Sequence, residues 1–366
     1  MTMQRTLKHE ISAVGIGLHS GKRVSVTFRP APANTGLVYT RVDLPEPVSI
    51  KISADVVRDT QLCTALVNED GVRISTVEHL QAALSALGID NLYIDVNAPE
   101  IPIMDGSAYP FVYLLNSAGV VDLNEPKVFY RVKKTVRVEG EGGKWAEFSP
   151  AKSGLTMDLR IEFHHPAIPD NCESVHLDFT GDNFVRQISR ARTFCFMRDV
   201  EYMHAHLLAL GGTLDNAVVM DDTHVINPEG LRYPDECTRH KLLDACGDIY
   251  MCNHTILGAF KAYKTGHALN NQLLRTLLET EGAVEKVTFT SPAERKQPFS
   301  YVSGRGEYAP ALVYSRDFPD QPAPCGLFPA LTGVISYVHD NHYLCGIHTC
   351  APRDRHHCRE GDKLTV

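Results

Sequence analysis

Apolar and polar residues alternate along residues 24–28, 37–42 and 63–67, the period-two pattern of half-buried strands. After Ser75-Thr76 the period lengthens to that of a helix, and the apolar run closes at Gly88, so a helix capped by Ser75-Thr76 is predicted through Leu87. A buried strand at 92–96, the loop A-P-E-I-P-I-M-D-G-S and a helix through Leu115 complete a first half. Asn124-Glu125-Pro126 marks a break. Strands at 129–138, 146–148 and 155–163 follow, then shorter mixed elements after Asp182. Asp235-Glu236 opens a strong helix through Tyr250; a strand at 256–263, a helix at 267–278 and a strand at 284–289 close the second half. From about Pro292 the helical period disappears and prolines gather, which predicts a weakly ordered extension over 292–366.

A chain of 366 residues is long enough for two domains, and 43% apolar with 22% charged residues is ordinary for a globular enzyme. The net charge of −8 offers no basic field to recruit nucleic acid or an anionic membrane, so an anionic substrate must be held by local Lys or Arg. No apolar h-region opens the chain and no stretch approaches membrane-spanning length, which predicts a cytoplasmic protein with no integral membrane association. In that compartment the ten cysteines are expected as free thiols, with Cys63, Cys195, Cys237, Cys246 and Cys252 as small core or pocket residues.

Three short pieces carry the candidate chemistry: Glu78-His79 in S-T-V-E-H-L, the run from His240 to Asp244, and His267 in K-T-G-H-A-L-N-N. His240 and Asp244 are four residues apart, so a helix puts them on one face, where they can share a metal ion with His79 as third ligand. Three protein ligands leave a zinc a fourth position for water, the pattern of a catalytic site. Glu78 beside a ligand is placed to take a proton from that water, and His267 to protonate a leaving group. Asp248 lies one turn further along the same stripe, where a carboxylate repels its neighbour unless a cation offsets it. The competing explanations are local: a His–Asp contact on an exposed helix face, and a Glu near a helix N-terminus. Thr193 in R-A-R-T-F is an oxyanion-donor candidate or a turn hydroxyl, and Lys241 and Lys264 are phosphate contacts or solvated lysines. Residues 200–212 form an amphipathic stretch ending in Gly211-Gly212, either core or an apolar substrate channel. The loop G-I-G-L-H-S-G lacks the lysine and hydroxyl of a phosphate loop. Near the end Cys345, His348, Cys350, His356, His357 and Cys358 crowd together without the spacing of a zinc knuckle.

Taken in order, G-I-G-L-H-S-G, D-T-Q-L-C-T, S-T-V-E-H-L, N-A-P-E-I-P-I-M-D-G-S, R-A-R-T-F, L-D-N-A, R-H-K-L-L-D-A-C-G-D and G-H-A-L-N-N resemble the UDP-3-O-acyl-N-acetylglucosamine deacetylases, zinc enzymes of lipid A biosynthesis. The resemblance covers roughly residues 2–290. It implies an α+β chain of two domains, about 1–126 and 127–291, each a two-layer sandwich of sheet and packed helices, with the active site between them and an insert near 200–219 enclosing an acyl chain. By motif it implies His79, His240 and Asp244 as ligands of one catalytic Zn2+ (Fe2+ being the alternative in the cell), Glu78 as base, His267 as acid oriented by Asp248, and Thr193 at the oxyanion. Phe163, Lys241 and Lys264 would meet the uridine diphosphate, and Cys63, Val200, Leu214 and Val219 the rest of the substrate, in a monomer. Cys195 departs from the glycine that usually follows R-A-R-T-F, and the segment after about Pro292 is much longer than the family's usual short C-terminal end. A zinc peptidase would instead carry H-E-x-x-H, which is absent; a regulatory protein with a structural metal would leave Glu78, Asp248 and His267 without a purpose.

Overall fold

The structure, a computed structural model, describes residues 2–289, Tyr301 and the short strands Val338–His339 and His342–Tyr343. The remaining expectations for the 292–366 segment and its Cys/His cluster lie outside the described residues.

The first half is built on a five-stranded sheet in the order Ile11–Ile16, Arg23–Pro30, Leu92–Val96, Leu37–Arg41, Val48–Lys51. Its pairs are antiparallel except Leu37–Arg41 with Leu92–Val96, which run parallel. Alternate residues of Arg23–Pro30 are buried, as the period-two pattern requires. Helices α1 (Glu78–Leu87) and α2 (Tyr109–Ser117) pack together; every residue of α1 is buried, so it lies inside the protein rather than on one face of it. Its start differs from expectation. The N-cap is Val77, without a side-chain cap, and the Ser75 hydroxyl donates to the Pro99 carbonyl at 3.2 Å instead. At the other end Gly88, at φ +64°, returns its N–H to the helix, the left-handed turn that suits glycine.

Val120–Pro126 pairs antiparallel with Met3–Leu7, and a seven-stranded sheet begins at Phe129. Its axis is Thr255–Tyr263. The beginning of that strand runs parallel to Phe129–Val132; its remainder lies between antiparallel Trp145–Ser149 and parallel Leu155–Arg160. The strand expected at 129–138 is two, because polar Lys133-Lys134-Thr135 turn outward and bond to the segment near Ala283: Lys133 N–H to the Ala283 carbonyl at 2.8 Å, Lys134 Nζ to the Glu281 carbonyl at 2.6 Å. The mixed stretch after Asp182 contains α3 (Gly181–Gln187), α4 (Met197–Ala205) and a parallel pair, Phe194–Phe196 with Val218–Met220. Helices α5 (Glu236–Ile249) and α6 (His267–Glu279) complete the chain's second half.

One hydrophobic core runs through both halves. Its densest helix contact is α1 against α5, and Gly247 makes it possible: a Cβ there would stand 2.0 Å from the Glu78 carbonyl oxygen. The two helices that carry most of the candidate chemistry therefore meet backbone to backbone. Tyr301 packs against this body, its ring over Gly88 and beside Arg5 and Lys127.

Candidate active site

Helix α1 delivers Glu78 and His79 in its first turn, and α5 delivers His240, Asp244 and Asp248 at four-residue steps. All five are at most 4% exposed. His79, His240 and Asp244 come together with ligand atoms within 4.8 Å of one another, the one such group of three or more found among the described residues. Asp244 Oδ1 lies 3.6 Å from His79 Nε2 and 3.3 Å from His240 Nε2, and the two imidazoles meet edge to face at 4.9 Å.

These residues fit a cation. His240 Nδ1 lies 3.0 Å from the Ala191 carbonyl, which can only accept, so the proton sits on Nδ1 and Nε2 turns a lone pair toward Asp244. Asp244 Oδ1 is buried with no hydrogen-bond partner, while Oδ2 accepts from Lys241 Nζ at 2.7 Å. Lone pairs facing each other in a dry site repel unless a positive ion stands between them. Burial, opposed by Asp244, drives the His240 pKa down to about 3, so its imidazole is neutral and ready to ligate. Burial pushes Asp244 upward, but the Lys241 ammonium beside it holds it well below the usual carboxylate range.

Beside this triplet stand Glu78 and His267. Glu78 Oε2 accepts the Thr64 N–H at 3.0 Å, and its Oε1 is 3.9 Å from His267 Nε2. Burial raises the Glu78 pKa, the direction that suits a proton acceptor, although His267 and His79 pull it back. His267 opens α6 after Gly266 and donates from Nδ1 to Asp248 Oδ2 at 3.0 Å. Burial lowers its pKa, but the Asp248 charge and hydrogen bond, with Glu78 and Asp244 adding, raise it to about 9. Asp248 also accepts from Thr64 Oγ1 at 2.6 Å and Asn270 Nδ2 at 2.9 Å.

Thr193 is half-buried; its N–H donates to the Gly106 carbonyl at 2.8 Å, and its own carbonyl takes the Val218 N–H at 2.7 Å. Arg192 before it is fully buried on Glu236 and the Gly230 carbonyl, with Glu229 also paired, which fixes the segment that presents the Ala191 carbonyl to His240. Phe163 packs against Phe194 and Phe196, and Phe194 in turn lies edge-on to His240. Lys264, in left-handed backbone at φ +55°, pairs with Glu162 at 2.8 Å. Lys241 is half-buried on Asp244 and so belongs to the triplet's surroundings. Val200 and Val219 are buried and Leu214 half-buried. Burial pushes the Cys63 thiol up to about 12 and the Cys195 thiol up to about 11, which removes both as thiolate nucleophiles. In the 15–21 segment Glu100 takes the N–H groups of His19 and Ser20 at 3.0 and 2.8 Å, while those of Gly17 and Gly21 go to backbone carbonyls.

Four participants were not nominated from sequence: Thr64, Asn270, and the Arg192–Glu236 pair. All four lie within or beside motifs quoted above, but no spacing rule marks a backbone N–H or an amide as part of a site.

The fold and this constellation define a class: an α+β hydrolase whose two halves bring a buried group of potential metal ligands to a candidate proton-transfer pair. The comparisons narrow it. The sequence model for UDP-3-O-acyl N-acetylglycosamine deacetylase matches residues 4–279, and the chain belongs to that family. A UDP-3-O-acyl-N-acetylglucosamine deacetylase of Tolumonas auensis is 61% identical over 301 residues, which is 82% of this chain and 97% of that protein.

Proposed function

We propose that the protein is a zinc-dependent deacetylase that hydrolyses the N-acetyl group of UDP-3-O-acyl-N-acetylglucosamine, giving UDP-3-O-acyl-glucosamine and acetate in lipid A biosynthesis. The observation that carries the zinc is the buried triplet of His79, His240 and Asp244, whose unpartnered Asp244 Oδ1 faces a lone pair of His240. The substrate follows from family membership and from the relative at 61% identity.

Zinc held by these three side chains supplies Lewis acidity, which brings the pKa of a water from 15.7 towards about 7. Glu78, fixed by the Thr64 N–H and made more basic by burial, receives the proton of the attacking water. The Thr193 hydroxyl donates to the oxygen of the acetamide as charge develops there. His267, held protonated by Asp248, gives its proton to the amine nitrogen, a leaving group too basic to depart as an anion. The 3.9 Å between Glu78 Oε1 and His267 Nε2 is too long for a direct hydrogen bond and leaves the acceptor and the donor facing one reaction space.

Phe163, Lys241 and Lys264 belong to the uridine diphosphate side of this reading, and Cys63, Val200, Leu214 and Val219 to the acyl side. Each methylene buried there adds about 0.8 kcal/mol before ordering costs. The division into domains at about residue 126, the cytoplasmic setting and a monomeric state belong to the same proposal. The test is mass spectrometry of the zinc-loaded protein with UDP-3-O-acyl-N-acetylglucosamine. Loss of one acetyl from the substrate in the presence of parent protein, with Glu78→Ala slower by on the order of 10²–10⁴, supports the reading; an unchanged substrate mass refutes it.

A further inference from the structure

Both halves of the proposed proton transfer touch one residue that neither motif reading nor metal geometry assigns. Thr64 is 1% exposed and sits immediately before the short strand Ala65–Val67. Its backbone N–H donates to Glu78 Oε2 at 3.0 Å, and its hydroxyl donates to Asp248 Oδ1 at 2.6 Å. The second bond has only one possible direction, since a carboxylate can only accept. It joins residues 184 apart in sequence and crosses from the half that carries Glu78 to the half that carries His267.

We infer that Thr64 is a positioning residue that sets the base and the acid in register. Asp248 has two oxygens and three donors in contact: Thr64 on Oδ1, and His267 and Asn270 on Oδ2. With the first bond in place the carboxylate cannot rotate about its Cβ–Cγ bond, and the direction in which it holds the His267 ring is fixed. Without it, Oδ1 is a buried acceptor with nothing to accept, and the carboxylate turns to share the remaining donors. Thr64 itself cannot drift, because its carbonyl accepts the Val77 N–H at 3.3 Å, at the entrance to α1. The residue thus ties the first turn of α1, which carries Glu78, to the Asp248–His267 pair. The hydroxyl carries this role, and the methyl only fills space.

The inference rests on the base and acid roles proposed above, and its test keeps the two apart. Thr64→Val retains shape and the N–H to Glu78 but deletes the hydroxyl. In the full-length zinc-loaded protein it should lower kcat by about 10- to 100-fold, the range for losing a hydrogen bond to a charged group. KM for UDP-3-O-acyl-N-acetylglucosamine should stay within about twofold. Zinc content by elemental analysis should not change. Thr64→Ser, which restores the donor, should remain within about threefold of the parent, and Thr64→Ala should fall with the valine variant. Should Thr64→Val fail to fold, the serine and alanine variants decide alone, since they differ only by the hydroxyl. Full turnover in Thr64→Val, a serine variant as slow as alanine, or zinc loss in step with activity each overturns the inference. His267→Ala measured alongside separates the levels: if it retains full turnover, the acid role falls and this inference with it; if it is slow while Thr64→Val is not, only the Thr64 inference falls.

Discussion

Replacing Asp248 by asparagine separates the charge of His267 from its position. Asp248 is 2% exposed and holds the His267 ring through Oδ2 at 3.0 Å. Burial lowers the His267 pKa; the Asp248 charge and hydrogen bond, followed by Glu78 and Asp244, raise it to about 9. Asparagine preserves the shape and removes the charge. Burial then meets only the weaker pull of Glu78 and Asp244, and the imidazole returns at least to its ordinary 6.5. At pH 7.5 the protonated fraction drops from about 97% to about 9%, and at pH 8.5 the ratio is about 75-fold, before any cost of misplacement. The assay is kcat/KM against pH for both proteins, folded and zinc-loaded. The alkaline limb of Asp248→Asn should lie about two pH units or more below the parent's, and the acid limb should stay. Stability follows the same sign. A histidine pKa raised on folding adds stability that is complete below about 6.5 and lost as pH climbs through about 9, here on the order of 3 kcal/mol. Parent protein should therefore lose more stability than Asp248→Asn across that window in urea titrations. An alkaline limb that stays at the parent's position in Asp248→Asn assigns it to another group and refutes this account of His267.

His79→Ala, His240→Ala and Asp244→Ala should each lose most of the bound zinc, measured by elemental analysis; full metal content in the histidine variants would remove the triplet as the site. The metal-free protein should lose stability as pH falls from 6.5 towards about 3, because His240 is neutral when folded and takes a proton when unfolded; urea titrations down this range check it, and a flat profile speaks against a buried neutral imidazole. Gly247→Ala forces α5 away from the Glu78 carbonyl and should cost roughly 1–3 kcal/mol in thermal unfolding, with a fall in kcat because the same shift parts Glu78 from Asp248. Ending the chain after Tyr301 should leave zinc content and turnover intact, whereas ending it at 292 removes the ring from Gly88 and Lys127 and should lower Tm by a few degrees, for about 1–2 kcal/mol of packing and cation–π contact.

The helices that carry the chemistry were legible because their apolar period is strong. Residue 236 to residue 249 and residue 267 to residue 279 fall within a residue or two of the expected ends. The strands were less so. Met3–Leu7, Ile11–Ile16, Val48–Lys51 and Val120–Pro126 were not anticipated, because they alternate weakly and are defined by their distant partners: Met3–Leu7 pairs with Val120–Pro126 across the whole first half. The start of α1 was misread for a related reason. Ser75 and Thr76 have capping side chains, but the chain approaches through a parallel bridge between Ser75 and Glu100 and a left-handed Thr76, so the hydroxyls are turned elsewhere. In the site, side chains with a recognisable charge or ring were legible, whereas the groups that hold them were not. A Thr64 N–H or an Ala191 carbonyl has no signature in sequence; only the fold brings it to Glu78 or His240.

The charges buried between α1 and α5 indicate where a reaction can take place. Glu236 is answered by Arg192, and Asp248 by His267, Thr64 and Asn270. Asp244 is answered at Oδ2 by Lys241 but not at Oδ1, and Glu78 is answered at Oε2 by the Thr64 N–H, with His267 at 3.9 Å from Oε1. Among the described carboxylates of α1 and α5, Asp244 Oδ1 has no hydrogen-bond partner, and Glu78 Oε1 has His267 Nε2 only at 3.9 Å. An unpaired buried oxygen is costly, so each persists only where something binds or reacts. In the proposed reaction a cation would answer Asp244 Oδ1 and a proton Glu78 Oε1. The fold leaves open, at neighbouring points, the two charges that hydrolysis of an amide must supply.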